Sequence, residues 1–276
     1  MEGVRNRLAL SLVTFESLGI PDEGDFGIYV ASGERRDGDV GWQLRDGITV
    51  ACIDLGVGGQ AHNLNNPAVV RSMLQAAGSP RCQFIFKSLD CSTRTAAHFL
   101  PDAQGRPGRP WRDGFHVLGF VRPDGTLPRR VQEADQVVAL GAQLGLAVAS
   151  HGGHFLAETP ACRGDGCGGL VTAAEPGDAL DGAEAHVYMY DHPAWRHLIE
   201  VTNASVTVCD QCMDLDPGTP LSESGEKATA LLSIENTTQA TRSRFGGRRC
   251  NHGKAAHRVL RGTTSTGSYK TKGSQA

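Results

Sequence analysis

Two side chains have the types and surroundings for nucleophilic and acid–base chemistry. Cys91 lies in Phe86-Lys-Ser-Leu-Asp-Cys91-Ser-Thr-Arg94, just past an apolar run that reads as a strand. A thiol in a polar loop beside an arginine can have its pKa lowered and become a nucleophile. Glu158 follows the run that ends near Phe155-Leu156 and precedes Thr159-Pro160. A carboxyl group held rigidly by a following proline can serve as hydrogen-bond partner or proton donor to a base edge. Taken singly, such a cysteine is more often packed than reactive, and a loop glutamate is usually solvated. What singles them out is that each follows a strand candidate, with a long loop and a helix between them.

Other constellations compete. Cys209-Asp-Gln-Cys212 is a CxxC pair, and Cys250 with His252 adds the remaining donors a structural zinc needs. The separation exceeds that of compact zinc modules, and Cys209 ends a strand candidate, so zinc is the secondary reading. Cys162 and Cys167 are a weaker pair still. The glycines of His151-Gly-Gly-His154 favour a turn over a metal site. Gly58-Gly59 lacks the spacing of a phosphate-binding loop.

The elements that would position these residues read as an alternating α/β pattern. Strand candidates are Leu8–Phe15, Gly47–Leu55, Cys82–Ser88, Ala147–Leu156, Ala204–Cys209 and Thr229–Ile234, with a weaker apolar patch at Phe26–Val30. Helical spacing covers Pro67–Ala77, with Asn66 as cap and Pro67 at the first helical position, and again Arg130–Leu146. The alternation predicts a doubly wound, mostly parallel sheet, whose reacting groups gather at the carboxyl ends of the strands. One domain over 1–262 is expected, interrupted by a long loop at 101–129. The Ser/Thr/Gly/Lys-rich segment 263–276 has the composition of a disordered tail.

Bulk properties narrow the classes. A formal net charge of -3 excludes polyanion binding by overall charge, so a nucleic-acid partner needs a local basic patch. Arg106, Arg109 and Arg112 in the long loop, and the run Arg242–Arg249, are candidates for phosphate contacts. No apolar run is long enough for a membrane span, and the first residues lack a signal-peptide pattern. A soluble intracellular protein is expected, nuclear or cytoplasmic, with its eight cysteines reduced.

The chain resembles the DNA (cytosine-5)-methyltransferase family, whose nucleophile loop carries Pro-Cys and whose next strand leads to Glu-Asn-Val. Diverged relatives read Ser-Pro-Pro-Cys-Ser-Thr, Glu-Asn-Pro and a following Arg-Gly-Asp. Here the matching stretches are Ser88-Leu-Asp-Cys91-Ser-Thr93, Glu158-Thr-Pro160 and Arg163-Gly-Asp165. Arg130-Val-Gln-Glu-Ala-Asp135 is similar to the family's Arg-Glu-Ala-Asn helix. Asp210-Gln-Cys212 and Glu226-Lys-Ala-Thr229 are similar to its Gln-Cys and Lys-Pro-Thr segments. The resemblance runs in order over residues 8 to 260. It implies a Rossmann-like methyltransferase fold, S-adenosylmethionine as cofactor and DNA as partner. It also implies Cys91 as the thiolate that attacks the 6-position of cytosine and Glu158 as the clamp on the base. Phe15, Glu16 and Gly19 would stand for the cofactor loop, and Asp54 for the carboxylate on the ribose hydroxyls.

The departures are specific. The stretch Leu12-Val-Thr-Phe15-Glu16-Ser-Leu-Gly19 holds one late glycine where the family has a Gly-rich turn. Leu89 and Asp90 replace the prolines, and Asp90 opposes ionisation of the neighbouring thiol. Thr159 replaces the asparagine. Two further readings follow: a relative that has lost catalysis and serves as a binding module, and a zinc-stabilised binding protein.

Overall fold

The computed structural model describes residues 14–32, 47–88, 93–94, 111–113, 116–161, 188–210 and 228–248. All its strands belong to one six-stranded sheet in the order β2-β1-β3-β4-β6-β5. The strands are β1 (Phe26–Val30), β2 (Thr49–Ile53), β3 (Cys82–Ser88), β4 (His154–Pro160), β5 (Ser205–Asp210) and β6 (Ala228–Ser233). β1, β2, β3 and β4 run parallel, whereas β6 is antiparallel to both β4 and β5. The sheet is therefore mixed, with one reversed strand in an otherwise parallel set.

The helices are α1 (Leu55–Gly58), α2 (Pro67–Ala77), α3 (Arg129–Ala149), α4 (Pro193–Thr202) and α5 (Glu235–Phe245). α2 starts where its sequence directs: the Asn66 side chain accepts from the Ala68 N–H at 2.9 Å, and Pro67 takes the first helical position. The steps β2 to β3 and β3 to β4 cross the sheet in the same direction. Right-handed crossovers then put α2 and α3 on one face, where they touch, and α4 packs beside α3. That face holds the aromatic core. Trp195 is fully buried, lies 6.0 Å from Phe155, and donates its indole N–H to Val138 O at 2.9 Å. The close approach rests on Gly141, where a Cβ would come within 2.9 Å of the Trp195 ring.

Several expectations are corrected. The Leu8–Phe15 strand lies mostly outside the described residues, and its end, Thr14–Phe15, is a turn leading into the 3-10 segment Glu16–Leu18. The weak patch Phe26–Val30 is instead a central strand. Its burial at successive positions, with only Tyr29 partly open, explains the near-continuous apolar run, since a strand covered on both faces does not alternate. Ala147–Leu156 is not one strand: α3 continues to Ala149, and a turn through Gly152, at φ +84°, separates it from β4. Consequently Glu158 sits inside β4 rather than in a loop after it. Arg242 and Arg244 belong to the last turn of α5, not to a basic loop. α4 was not anticipated, although His192-Pro193 is a start signal: the His192 ring accepts from the Ala194 N–H at 3.2 Å. Of the long loop, the described residues 111–113 and 116–128 hold no helix or strand, and 101–110 and the tail 263–276 lie outside the described residues. Among the described residues no helix is long and apolar enough to cross a membrane.

Candidate functional site

Because the chain leaves β1 for β2 on one side and resumes at β3 on the other, the sheet has a topological switch point between β1 and β3. In open α/β sheets, ligands bind outside the carboxyl ends of the strands at such a point. The groups presented along that edge are Ala31 and Ser32 after β1, Asp54 after β2, Ser88 ending β3 and the last residues of β4.

Ala31 marks the edge. Its φ is +56°, a conformation L-residues other than glycine rarely adopt. Its N–H donates to Ile53 O at 2.7 Å and ties the end of β1 to the end of β2. Outliers of this kind cluster at ligand sites.

Next to it, Asp54 is half-buried and accepts from the Gly56 N–H at 2.8 Å. The Asp54 N–H points to His62 Nδ1 at 3.2 Å, while His62 Nε2 lies 3.3 Å from Ser17 O. With Nδ1 accepting, Nε2 is the ring nitrogen that faces Ser17 O, so His62 bridges the two segments. This bridge needs Gly58, where any Cβ would fall 2.1 Å from the His62 ring. Phe15, Glu16 and Gly19 belong to the turn that Ser17 and His62 link to Asp54, a turn ahead of β1 rather than the loop following it. Phe15 packs against the core, Glu16 is exposed, and Gly19 closes the turn at φ +69°. Leu55 (54% exposed) and Val57 (49% exposed) leave apolar surface open beside the carboxylate.

On the other side of the switch point, Glu158 stands directly opposite Ser88 on the neighbouring parallel strand. Alternation along β4 sends Phe155, Ala157 and Thr159 into the α3–α4 core and leaves Glu158 half-buried on the other face. Cys91 lies outside the described residues, as do Cys212, Cys250 and His252. Cys209 is buried, and among the described residues no group of three or more His, Cys, Asp or Glu is placed to hold a metal. His151 and His154 meet Ala77 O at 3.0 Å and Thr237 Oγ1 at 3.3 Å. Cys82 is no rival nucleophile, because burial pushes its thiol up to about 12.

Sequence reasoning missed a buried ionic cluster behind this edge. Arg94 Nη2 donates to Asp135 Oδ1 at 2.7 Å, and Arg112 Nη1 donates to the same oxygen at 2.8 Å. Arg112 also reaches Val117 O at 3.0 Å and Thr93 Oγ1 at 2.9 Å. His192 Nε2 lies 3.9 Å from Asp135 Oδ1, and Asp191 pairs with Arg196. Arg112 is 1% exposed, so its expected role at a DNA phosphate is corrected: the guanidinium is spent inside the protein. Burial lowers Arg94 to about 10, with the Arg112 charge adding to the effect. A signal was present. Asp135 falls at i+4 from Val131 and i−3 from Val138, both fully buried, so an acid on that stripe needs a buried partner.

No family model, curated protein or solved structure matches this chain.

Proposed function

We propose that the chain is an S-adenosylmethionine-dependent methyltransferase of doubly wound, Rossmann-like architecture acting on cytosine in DNA. The observation that carries this reading is the register of β3 and β4. Glu158 sits opposite Ser88, and Cys91 follows Ser88 by three residues, a reach of at most about 11 Å. Thiol and carboxyl group would then serve one cleft at the switch point.

The residues at the end of β2 fit the cofactor. A half-buried carboxylate, Asp54, suits the ribose hydroxyls, and the exposed Leu55 and Val57 offer apolar surface to a purine. Bound there, S-adenosylmethionine would supply an electrophilic methyl group. Cys91, as thiolate, adds to the 6-position of the cytosine and makes its 5-position nucleophilic. Glu158 holds the ring nitrogen and the exocyclic amine, and stabilises the electron-rich ring that results. After transfer, loss of the 5-proton expels the thiolate and restores the ring. The base must leave the duplex to reach these groups. Exposed cations near the start of α3 suit the DNA backbone: Arg122, Arg129 and Arg130 take the place of the buried Arg112.

Incubation with DNA carrying 5-fluorocytosine and S-adenosylmethionine should give a covalent adduct, because the fluorine blocks the elimination. The adduct should vanish in Cys91→Ala, and Glu158→Gln should slow its formation by about a hundredfold. Absence of adduct under conditions that trap a control enzyme removes the reading. Calorimetry with S-adenosylmethionine then separates a silent protein from a binding module that kept the cofactor.

A further inference from the structure

We propose that the outer edge of β5 is a self-association surface, through which two copies of the chain join their sheets by antiparallel pairing of β5 across a two-fold axis at Thr207. This is independent of the methyl-transfer reading. β5 is the last strand of the sheet, and its register with β6 is regular from Ser205 to Asp210. The Asp210 N–H turns away from β6 and donates to Arg248 O at 2.9 Å. Alternate residues of an antiparallel ladder direct their backbone groups to the same side, so Val208 and Val206 also face outward. Both are partly exposed, and among the described residues neither makes a hydrogen bond on that side. Edges are ordinarily blunted by lysine, proline or a bulge. The stretch Ser205-Val-Thr-Val-Cys209 has none of these, and its three consecutive β-branched residues suit a further pairing.

The charges beside the edge select a second copy as the partner. α5 runs alongside β5 in the same direction. Near its start Ser205 Oγ donates to Thr238 Oγ1 at 3.2 Å, and just past its end Arg248 meets the end of β5. Between helix and edge lies an open polar groove of about 470 Å³, lined by Asn203, Ser205 and one stripe of α5. The stripe is Glu235, Thr238, Gln239, Arg242 and Ser243, the spacing of a single helix face. Its carboxylate and its guanidinium stand about 10 Å apart along the helix axis. Both side chains are exposed, and neither forms an ion pair among the described residues. A two-fold axis at Thr207 reverses this order. The two β5 strands lie about 5 Å apart at the seam, and the two α5 helices run antiparallel on one face of the joined sheet. Glu235 of each copy then stands level with Arg242 of the other. An unrelated extended peptide could use the backbone groups of Val206 and Val208, but a second copy also supplies both charges in the matching order. α5 suits such a seam, since Thr241 is its one buried residue and it has no apolar stripe of its own.

Sedimentation velocity on the full chain over a concentration series should show a monomer–dimer equilibrium with Kd at or below about 100 μM. Val208→Pro removes an outward N–H and leaves the ladder to β6 intact, and should raise Kd at least about tenfold. Arg242→Glu and Glu235→Arg each set like charges against one another at two symmetry-related places, and each should also raise Kd at least about tenfold. The double variant exchanges the charges and should return to within about threefold of the wild type. The charge variants alter only exposed side chains, so they remain folded even where Val208→Pro does not. A chain that sediments as a monomer throughout overturns the proposal. So does a dimer unmoved by the single reversals, or a double variant that associates no better than either single one.

Discussion

The two sides of the switch point are built in opposite ways. At the end of β2, Asp54 makes short-range bonds to Gly56 and His62, with Leu55 and Val57 open to solvent. Behind the end of β3, Arg94, Arg112 and His192 converge on one oxygen of Asp135, nearly all of it out of water. Local bonds at a part-exposed corner cost little to rearrange. Buried charges are worth much only while every partner is in place, so the second corner is a fixed frame. Under the proposed reading, a ligand would be taken at the first corner, while the second would hold its surroundings in place.

The largest effect should come from breaking the frame. Asp135→Ala leaves two buried guanidiniums without their shared acceptor and should lower stability by about 3–5 kcal/mol. Asp54→Ala loses a capping acceptor and should cost only about 1 kcal/mol, while weakening S-adenosylmethionine binding. Urea unfolding of both variants measures the contrast. Equal costs would erase the distinction between the two corners.

A second effect is confined to the frame. Burial first, then the Arg94 charge, with Arg112 adding and Asp135 opposing, lowers His192 from 6.5 to about 4. The ring is neutral at physiological pH, which suits its acceptor role at the start of α4. As pH falls, the unfolded chain takes up this proton first. The contribution of His192 to stability is therefore whole above 6.5 and drains away between 6.5 and about 4. His192→Asn keeps a capping side chain and removes the titration. The urea midpoint of the variant should fall less than that of the wild type across this window, and parallel curves would show that His192 is not held as described.

The same contrast governs what the sequence discloses. α2 and β3 are legible because their signals are local: Asn66-Pro67 starts α2, and Cys82–Ser88 is a strand with the bounds its residues suggest. β1 is obscured because a strand covered on both faces loses its alternation, and five residues carry too little pattern to outweigh Leu8–Phe15. Glu158 and Asp54 are visible as carboxylates near strand ends. The buried ionic cluster is not, since Thr93, Arg112 and Asp135 meet only in the folded chain and arginines in a Gly/Pro-rich stretch look solvent-facing. Sequence reveals groups positioned by their own neighbours and conceals those positioned by distant ones.

The smallest effect probes Ala31, the residue between the two corners. A left-handed L-residue costs about 1–2 kcal/mol, and glycine would relieve this while costing about 0.5–1 kcal/mol in backbone freedom. Ala31→Gly should therefore raise stability by up to about 1 kcal/mol. If the strain only closes a turn, nothing else changes. If it holds the backbone toward a ligand at the switch point, the freed chain should bind S-adenosylmethionine several-fold more weakly despite its greater stability, as expected when strain serves a site. Calorimetry and unfolding on one preparation read both quantities. A gain in stability with undiminished affinity would shift the binding corner away from the end of β1 and leave Asp54 to define it alone.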